Sequence, residues 1–130
     1  MSQNIATVAL VVSDYEEALS YYCDVLGFSL VADDDLGGGK RWVVVAPHNK
    51  RGAALLLAKA DGPEQAAHVG NQTGGRVAFF LETDSFARDH EDLASRGVKF
   101  LEAPRTEAYG TVAVFADIYG NRWDLIQPAR

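Results

Sequence analysis

The sequence has few of the residues that support disulfide, metal or membrane chemistry. Its single cysteine, Cys23, rules out an intrachain disulfide and makes a reducing compartment the simplest expectation. Its three histidines, His48, His68 and His90, share no short ligand motif such as H-x-x-x-H and read as unrelated surface or edge side chains. No apolar run approaches the ~18 residues of a membrane span. The start, Met1-Ser2-Gln3-Asn4, has neither the basic nor the apolar region of a signal peptide, so a cytoplasmic protein is expected by default. Cations are also scarce, with 12 Lys and Arg against 18 Asp and Glu, for a formal net charge of −6. Basic runs stop at the pairs Lys40-Arg41 and Lys50-Arg51, so no nucleic-acid partner is expected, because phosphate neutralisation needs more positive charge than this.

Against these absences stands an ordinary globular composition, 48% hydrophobic and 23% charged. A chain of 130 residues points to one domain over residues 1–130. Within it runs a pattern repeated at an offset of 70, which carries Asp14 to Asp84 and Gly27 to Gly97. Each pair brackets a helix-length segment and follows an apolar strand-like run. The first module spans about residues 4–59, a linker with Gly62-Pro63 and Gly74-Gly75 spans about 60–75, and the second module spans about 76–128.

In the first module Ile5–Val12 reads as a buried strand. Ser13-Asp14 offers a helix cap, Glu16 and Glu17 suit the first turn, and Gly27 suits the stop. Tyr15, Ala18, Leu19, Tyr22, Cys23 and Leu26 recur at helical spacing, which makes Cys23 a small core residue rather than a nucleophile. Strands are expected at about Ser29–Ala32, Arg41–Ala46 and Ala53–Lys59, with Asp33–Gly39 as a solvated loop. Gly37-Gly38-Gly39-Lys40 lacks the spacing of a phosphate-binding loop and reads as a hairpin tip.

The linker offers a short helix at Glu64–Val69. The second module repeats the order: a strand at Arg76–Leu81, a cap at Thr83-Asp84, an apolar stripe of Phe86, His90, Leu93 and Ala94, and a stop at Gly97. Strands follow at about Lys99–Glu102, Thr111–Ala116 and Arg122–Gln127, the last two joined at Tyr119-Gly120-Asn121. Each half is therefore β-α-β-β-β, too small to stabilise itself well alone.

The run Ser13-Asp14…Ala18…Tyr21-Tyr22…Asp24-Val25-Leu26-Gly27-Phe28 resembles the first helix of the vicinal-oxygen-chelate superfamily, which includes glyoxalases, bleomycin-resistance proteins and extradiol dioxygenases. Arg96-Gly97-Val98-Lys99-Phe100 is similar to the end of its second helix. Tyr109-Gly110…Val114-Phe115-Ala116-Asp117…Gly120-Asn121…Trp123-Asp124-Leu125 resembles its closing hairpin, with Ile118 where proline is usual. The resemblance covers almost the whole chain. It implies an α+β fold of two βαβββ modules, whose curved mixed sheets surround a cavity with helices outside.

Relatives of this kind often hold one divalent metal on His and Glu from the first and last strands of each module, where it acts as a Lewis acid on vicinal oxygens. The corresponding positions here are Thr7, Ala54, Val77 and Asp124. One hydroxyl and one carboxylate do not make a divalent site, so no metal cofactor is expected, an atypical ion being the alternative.

Strand alternation gives the expected pocket. Thr7, Ala9 and Val11 would line it, opposite Val77, Phe79 and Leu81, with Thr111, Ala113 and Phe115 joining. Arg122, Asp124 and Ile126 would share one face of the last strand, with Arg122 and Asp124 either meeting a ligand or pairing with each other. Trp42 and Tyr109 either stack on an aromatic ligand or pack. The candidate ligand-binding residues are thus Thr7, Trp42, Phe79, Tyr109, Phe115, Arg122 and Asp124.

Three readings follow. The first is a metal-independent binding protein for an apolar or aromatic small molecule, of the bleomycin-resistance kind and dimeric, as the resemblance implies. The second is a glyoxalase-like lyase or isomerase, or a dioxygenase, with an atypical metal site or with Asp124 as catalytic general base. The third is an accessory domain without a ligand.

Overall fold

The computed structural model describes residues 1–49 and 51–130; Lys50, half of the second basic pair, lies outside the described residues. Two compact units divide at Val69/Gly70, inside the linker expected over 60–75.

The first unit contains β1 (Thr7–Val12), α1 (Tyr15–Leu19), β2 (Ser29–Gly37), β3 (Lys40–Ala46), β4 (Ala54–Lys59) and α2 (Gly62–Ala66). Its sheet runs β1-β4-β3-β2, with β1 parallel to β4 and the other pairs antiparallel. Leu10, Val12, Val43, Val45 and Leu57 are fully buried and make up one face of this sheet, while α1 packs beside β4. Asp14 caps α1 by accepting the Glu17 N–H at 2.9 Å.

The helix expected to run on to Gly27 changes character at Ser20–Val25, which is π-helical. There the Leu26 N–H reaches the Tyr21 carbonyl, five residues back, at 2.9 Å. The wider turn buries both Tyr21 and Tyr22, their rings edge to face at 5.2 Å. Cys23, expected in the core, is only half-buried as a result, and burial followed by the nearby Asp24 charge raises its thiol pKa.

Asp33–Gly39 is not a loop. β2 continues to Gly37, which pairs with Lys40, and Gly38 and Gly39 turn the chain with φ of +64° and +82°. Positive φ at both central residues is the type I′ hairpin, whose twist matches its strands and which suits glycine. Asp33 is exposed, as expected, but lies in β2 rather than in a turn. Its carboxylate accepts from Arg41 Nε at 3.1 Å and Nη2 at 2.7 Å, while Arg41 Nη1 donates to Glu16 at 2.7 Å. These contacts tie the hairpin to α1 and hold the Asp33 carboxyl below its ordinary range.

The second unit repeats the module as β5 (Val77–Glu82), α3 (Phe86–Ser95), β6 (Lys99–Phe100), β8 (Gly110–Ala116) and β9 (Arg122–Pro128), with an extra short β7 (Arg105–Glu107) on β8. Its sheet runs β5-β9-β8-β6, with β5 parallel to β9. The fold is therefore α+β, two βαβββ modules with mixed sheets, as expected. The cap of α3 falls at Ser85 rather than Thr83-Asp84. Instead of a side-chain cap, the Phe86 N–H donates to Gln127 Oε1 at 2.7 Å, which fastens the helix start to β9.

The β8–β9 turn is held by buried Asp117. Its Oδ1 accepts the Tyr119 and Asn121 N–H groups, each at 2.9 Å, and its Oδ2 accepts Asn121 Nδ2 at 2.9 Å. Gly70, at φ +76°, lies so close to this turn that an added Cβ would run into the Tyr119 carbonyl oxygen. No helix among the described residues is long and apolar enough to cross a membrane.

Gly70→Ala is expected to cost about 1–3 kcal/mol of stability, from the positive φ and the collision together. Gly74→Ala, at φ +67° with open space around it, should cost less. Urea denaturation of both variants measures this; equal midpoints would show that the Gly70–Tyr119 approach constrains nothing.

Candidate functional site

The aromatic layer of the second unit decides which way β9 faces. Trp123 packs against Phe79, with centroids 4.6 Å apart, and lies nearly parallel to Phe115 at 5.8 Å and 16°. The layer continues from Phe115 to Phe100 at 5.7 Å, to His90 at 4.2 Å, and on to Phe86 of α3 at 5.4 Å. With Trp123 and Leu125 buried on this helix side, Asp124 must point to the opposite face.

Two candidates are corrected by the same register. Phe79 and Phe115 do not share the face of Asp124; both lie in the layer beneath α3. The reason for Phe79 is a bulge at Ala78. Val77 pairs with Arg122, but Phe79 already pairs with Trp123 and Phe80 with Asp124. One extra residue reverses the alternation, so Phe80, not Phe79, shares the face of Asp124 and is 65% exposed. Phe115 pairs with Trp123 and Val114 with Asp124, so Thr111, Ala113 and Phe115 turn towards the helix and Val112, Val114 and Ala116 away from it.

Asp124 is 7% exposed, and its Oδ1 has no hydrogen-bond partner among the described residues. Burial raises its pKa first, the Arg105 charge opposes the rise, and Glu102 adds to it. The pairing of Asp124 with Arg122, one of the two alternatives, does not form among the described residues. Arg122 is exposed and makes no ion pair among the described residues.

The cation that acts on Asp124 is Arg105. Glu102 accepts Arg105 Nε through both oxygens, at 3.2 and 3.1 Å, and also accepts the Val114 N–H at 3.0 Å. Arg105 Nη1 donates to the Tyr109 hydroxyl at 3.0 Å and lies 3.5 Å from Glu107. The bond Arg105 donates to Tyr109, and then those it donates to Glu102, raise the Arg105 pKa further. Tyr109, a candidate from sequence, thus offers an exposed ring whose hydroxyl is anchored.

Glu102 and Arg105 were not candidates. Their only signal was an acid and a base three residues apart around Pro104, where the expected strand ends.

The other candidates lie in the first unit. Thr7 stands beside Ala54 at the β1–β4 pair. Trp42, 45% exposed, shares with Val44, Leu56 and Ala9 the face turned away from the buried side of that sheet.

The four positions implied for a metal, Thr7, Ala54, Val77 and Asp124, supply one hydroxyl and one carboxylate. Among the described residues, no three His, Cys, Asp or Glu side chains form a group that could hold an ion. His48 Nδ1 instead lies 2.8 Å from Ser29 Oγ, and His90 sits in the aromatic layer. This donor set does not fit a divalent ion. A hollow of about 410 Å³ lies elsewhere, at the β2–β3 hairpin. Its one cation, Arg41, is already neutralised by Asp33 and Glu16, which leaves it little to offer a ligand.

Comparison with known proteins gives three findings. A family model described as the Glyoxalase/Bleomycin resistance protein/Dioxygenase superfamily matches residues 4–125. An uncharacterized protein of Shewanella frigidimarina (strain NCIMB 400) is 51% identical over 128 residues, 98% of this chain and 95% of that one. Among solved structures, UcmS2 superimposes with a TM-score of 0.84 at 29% identity, over 97% of this chain and 98% of that one. TnmS3, an antibiotic binding protein from Streptomyces sp. CB03234, does so with a TM-score of 0.79 at 30% identity, over 98% of each chain.

The raised pKa of Asp124 has a defined sign in stability. The protonated form is favoured in the folded state, so its contribution is fully present below the unfolded carboxyl value and is lost as pH rises through the folded one. Above the unfolded carboxyl value, burial of this unpartnered group is therefore a net cost to the fold. Asp124→Asn is therefore expected to raise the Tm by about 2–5 °C at pH 7, with the difference from the parent closing as pH falls towards about 4. Calorimetry over that range checks it; a lower Tm at pH 7 would mean the carboxylate is stabilised in solution.

Proposed function

Because the chain belongs to the Glyoxalase/Bleomycin resistance protein/Dioxygenase superfamily, we propose that it binds an apolar or aromatic small molecule without the metal many relatives use. The observation that carries this reading is the Asp124 carboxylate, buried with an unpartnered oxygen and paired across the strands with the exposed Phe80. A mainly apolar surface with a few fixed polar groups is the usual make-up of a small-molecule site. Trp42 and Thr7 on the sheet of the first unit add a second such surface. The likeness to TnmS3, an antibiotic binding protein, supports a binding role, and the donor set supports independence from metal.

Two further points belong to the same reading. A homodimer fits the exposed Phe80, Leu101 and Ile118, which a second copy would cover, and sedimentation decides it. The free thiol of Cys23 fits a reducing, cytoplasmic setting.

The raised carboxyl of Asp124 also favours a second reading, a metal-free lyase or isomerase in which Asp124 is the general base. Asp124→Asn should then abolish turnover while the fold persists; retained turnover rejects that role.

Protein purified without chelator is expected to carry far less than one metal ion per chain, and its Tm should rise with some members of a panel of polycyclic aromatic metabolites and antibiotics. Stoichiometric metal by elemental analysis would overturn the metal-independent reading. A panel without any shift would favour an accessory domain.

A further inference from the structure

The register of the second sheet gathers two cations that the binding reading leaves unused. Lys99 of β6 pairs with Ala116 of β8, and Ala116 pairs with Arg122 of β9. Residues paired across strands share a face, so Lys99, Ala116 and Arg122 form one row on the side turned away from α3. Both cations are exposed, and neither makes an ion pair among the described residues. Arg76, also exposed and without an ion pair among them, directly precedes Val77, which pairs with Arg122. Elsewhere the arginines Arg41, Arg88, Arg96 and Arg105 are each bonded to carboxylates. In a chain of net charge −6, the end of the sheet where β5, β6 and β9 begin is therefore locally basic.

The next row on the same face is mainly apolar. Asp124 pairs with Val114 on one side and Phe80 on the other. Leu101 follows the helix-side Phe100, and its N–H donates to the Val114 carbonyl at 2.8 Å, which continues the row past β8. Phe80 and Leu101 are exposed at the two ends, whereas Asp124 is buried within the row. Glu82, a further acid of this face, pairs with Ile126 one row farther from the cations.

Two strand spacings put the backbones of Lys99 and Arg122 about 9–10 Å apart. Each side chain is long enough to lean over the small Ala116 between them. Like charges so placed repel, and a single anion over Ala116 replaces that repulsion with two charge-assisted hydrogen bonds. Rows on a strand are about 6.5–7 Å apart, so the body attached to such an anion falls on the apolar row. Resting on the binding reading above, we infer that the ligand of this face is an aromatic oxyanion, a ring system bearing a carboxylate, sulfonate or phosphate. Lys99 and Arg122 take the oxyanion, and the rings rest on Leu101, Val114 and Phe80. Arg76 adds attraction from the neighbouring strand.

Titration calorimetry tests this with 2-naphthoate, 2-naphthalenesulfonate and 2-naphthyl phosphate against uncharged 2-naphthamide and cationic 2-naphthylmethylammonium. The proteins are the parent, Lys99→Gln, Arg122→Gln, the double variant, and Lys59→Gln, which removes an exposed charge from β4 of the first unit. All three positions are exposed, and circular dichroism confirms each fold. At least one oxyanion should bind the parent about tenfold tighter than the amide, the range of a hydrogen bond to a charged group. The three oxyanions show which charge and shape fit. Each single substitution in the row should weaken that binding, the double variant should lose the preference, and Lys59→Gln should keep it. Equal affinity for amide and oxyanions, or tighter binding of the ammonium, overturns the inference and leaves the binding reading standing. So does a preference that survives the double substitution, or one that Lys59→Gln reduces as much as Arg122→Gln does. No binding of any naphthalene by the parent overturns the inference and the binding reading together.

Discussion

The packing of Trp123 between Phe79 and Phe115 constrains most of what surrounds the site. Aromatic rings bury large areas and prefer offset or tilted contacts, so a strand that carries Trp123 and Leu125 has one stable orientation against α3. Period-two alternation then commits Asp124 to the other face. Burying a carboxylate there is costly, yet the register leaves it no alternative position. The aromatic layer and the strained carboxyl are two consequences of one strand direction.

The charges follow the same logic. Arg105 comes from β7, a short strand added to the edge of β8, outside the repeated module. It reaches the neighbourhood of Asp124 already engaged by Glu102, Tyr109 and Glu107. A cation bonded elsewhere through Nε and Nη1 acts on Asp124 through space, since no hydrogen bond joins the two. That distinction separates Asp124 from Asp33, whose carboxyl is lowered because Arg41 bonds it directly.

Much of the fold was legible because it rests on local signals and one repeat. The Asp14 cap, the stops at Gly27 and Gly97 and the β-α-β-β-β order all stand where the sequence pattern puts them. The errors share a cause. The bulge at Ala78 and the π-helical segment after Leu19 each insert about one residue of register. A one-residue change moves every later side chain to the other face of a strand or rotates it around a helix, so Phe79 and Cys23 were displaced from their expected surroundings. For Phe115 the cross-strand pairing with Trp123 decided its face, and a single strand's alternation cannot report that.

By itself, then, the sequence determined the module order, the inward-facing apolar runs, the poverty of metal donors and the place of Asp124 on the last strand. These depend on residue type and on periods of two and 3.6, which are written along the chain. Only tertiary structure decided that Phe80 rather than Phe79 accompanies Asp124, that Arg105 rather than Arg122 is the charge it feels, and that one of its oxygens is left without a partner. Those facts arise from pairing between distant segments, where register and desolvation are set jointly by both strands, and a linear pattern carries no record of the partner.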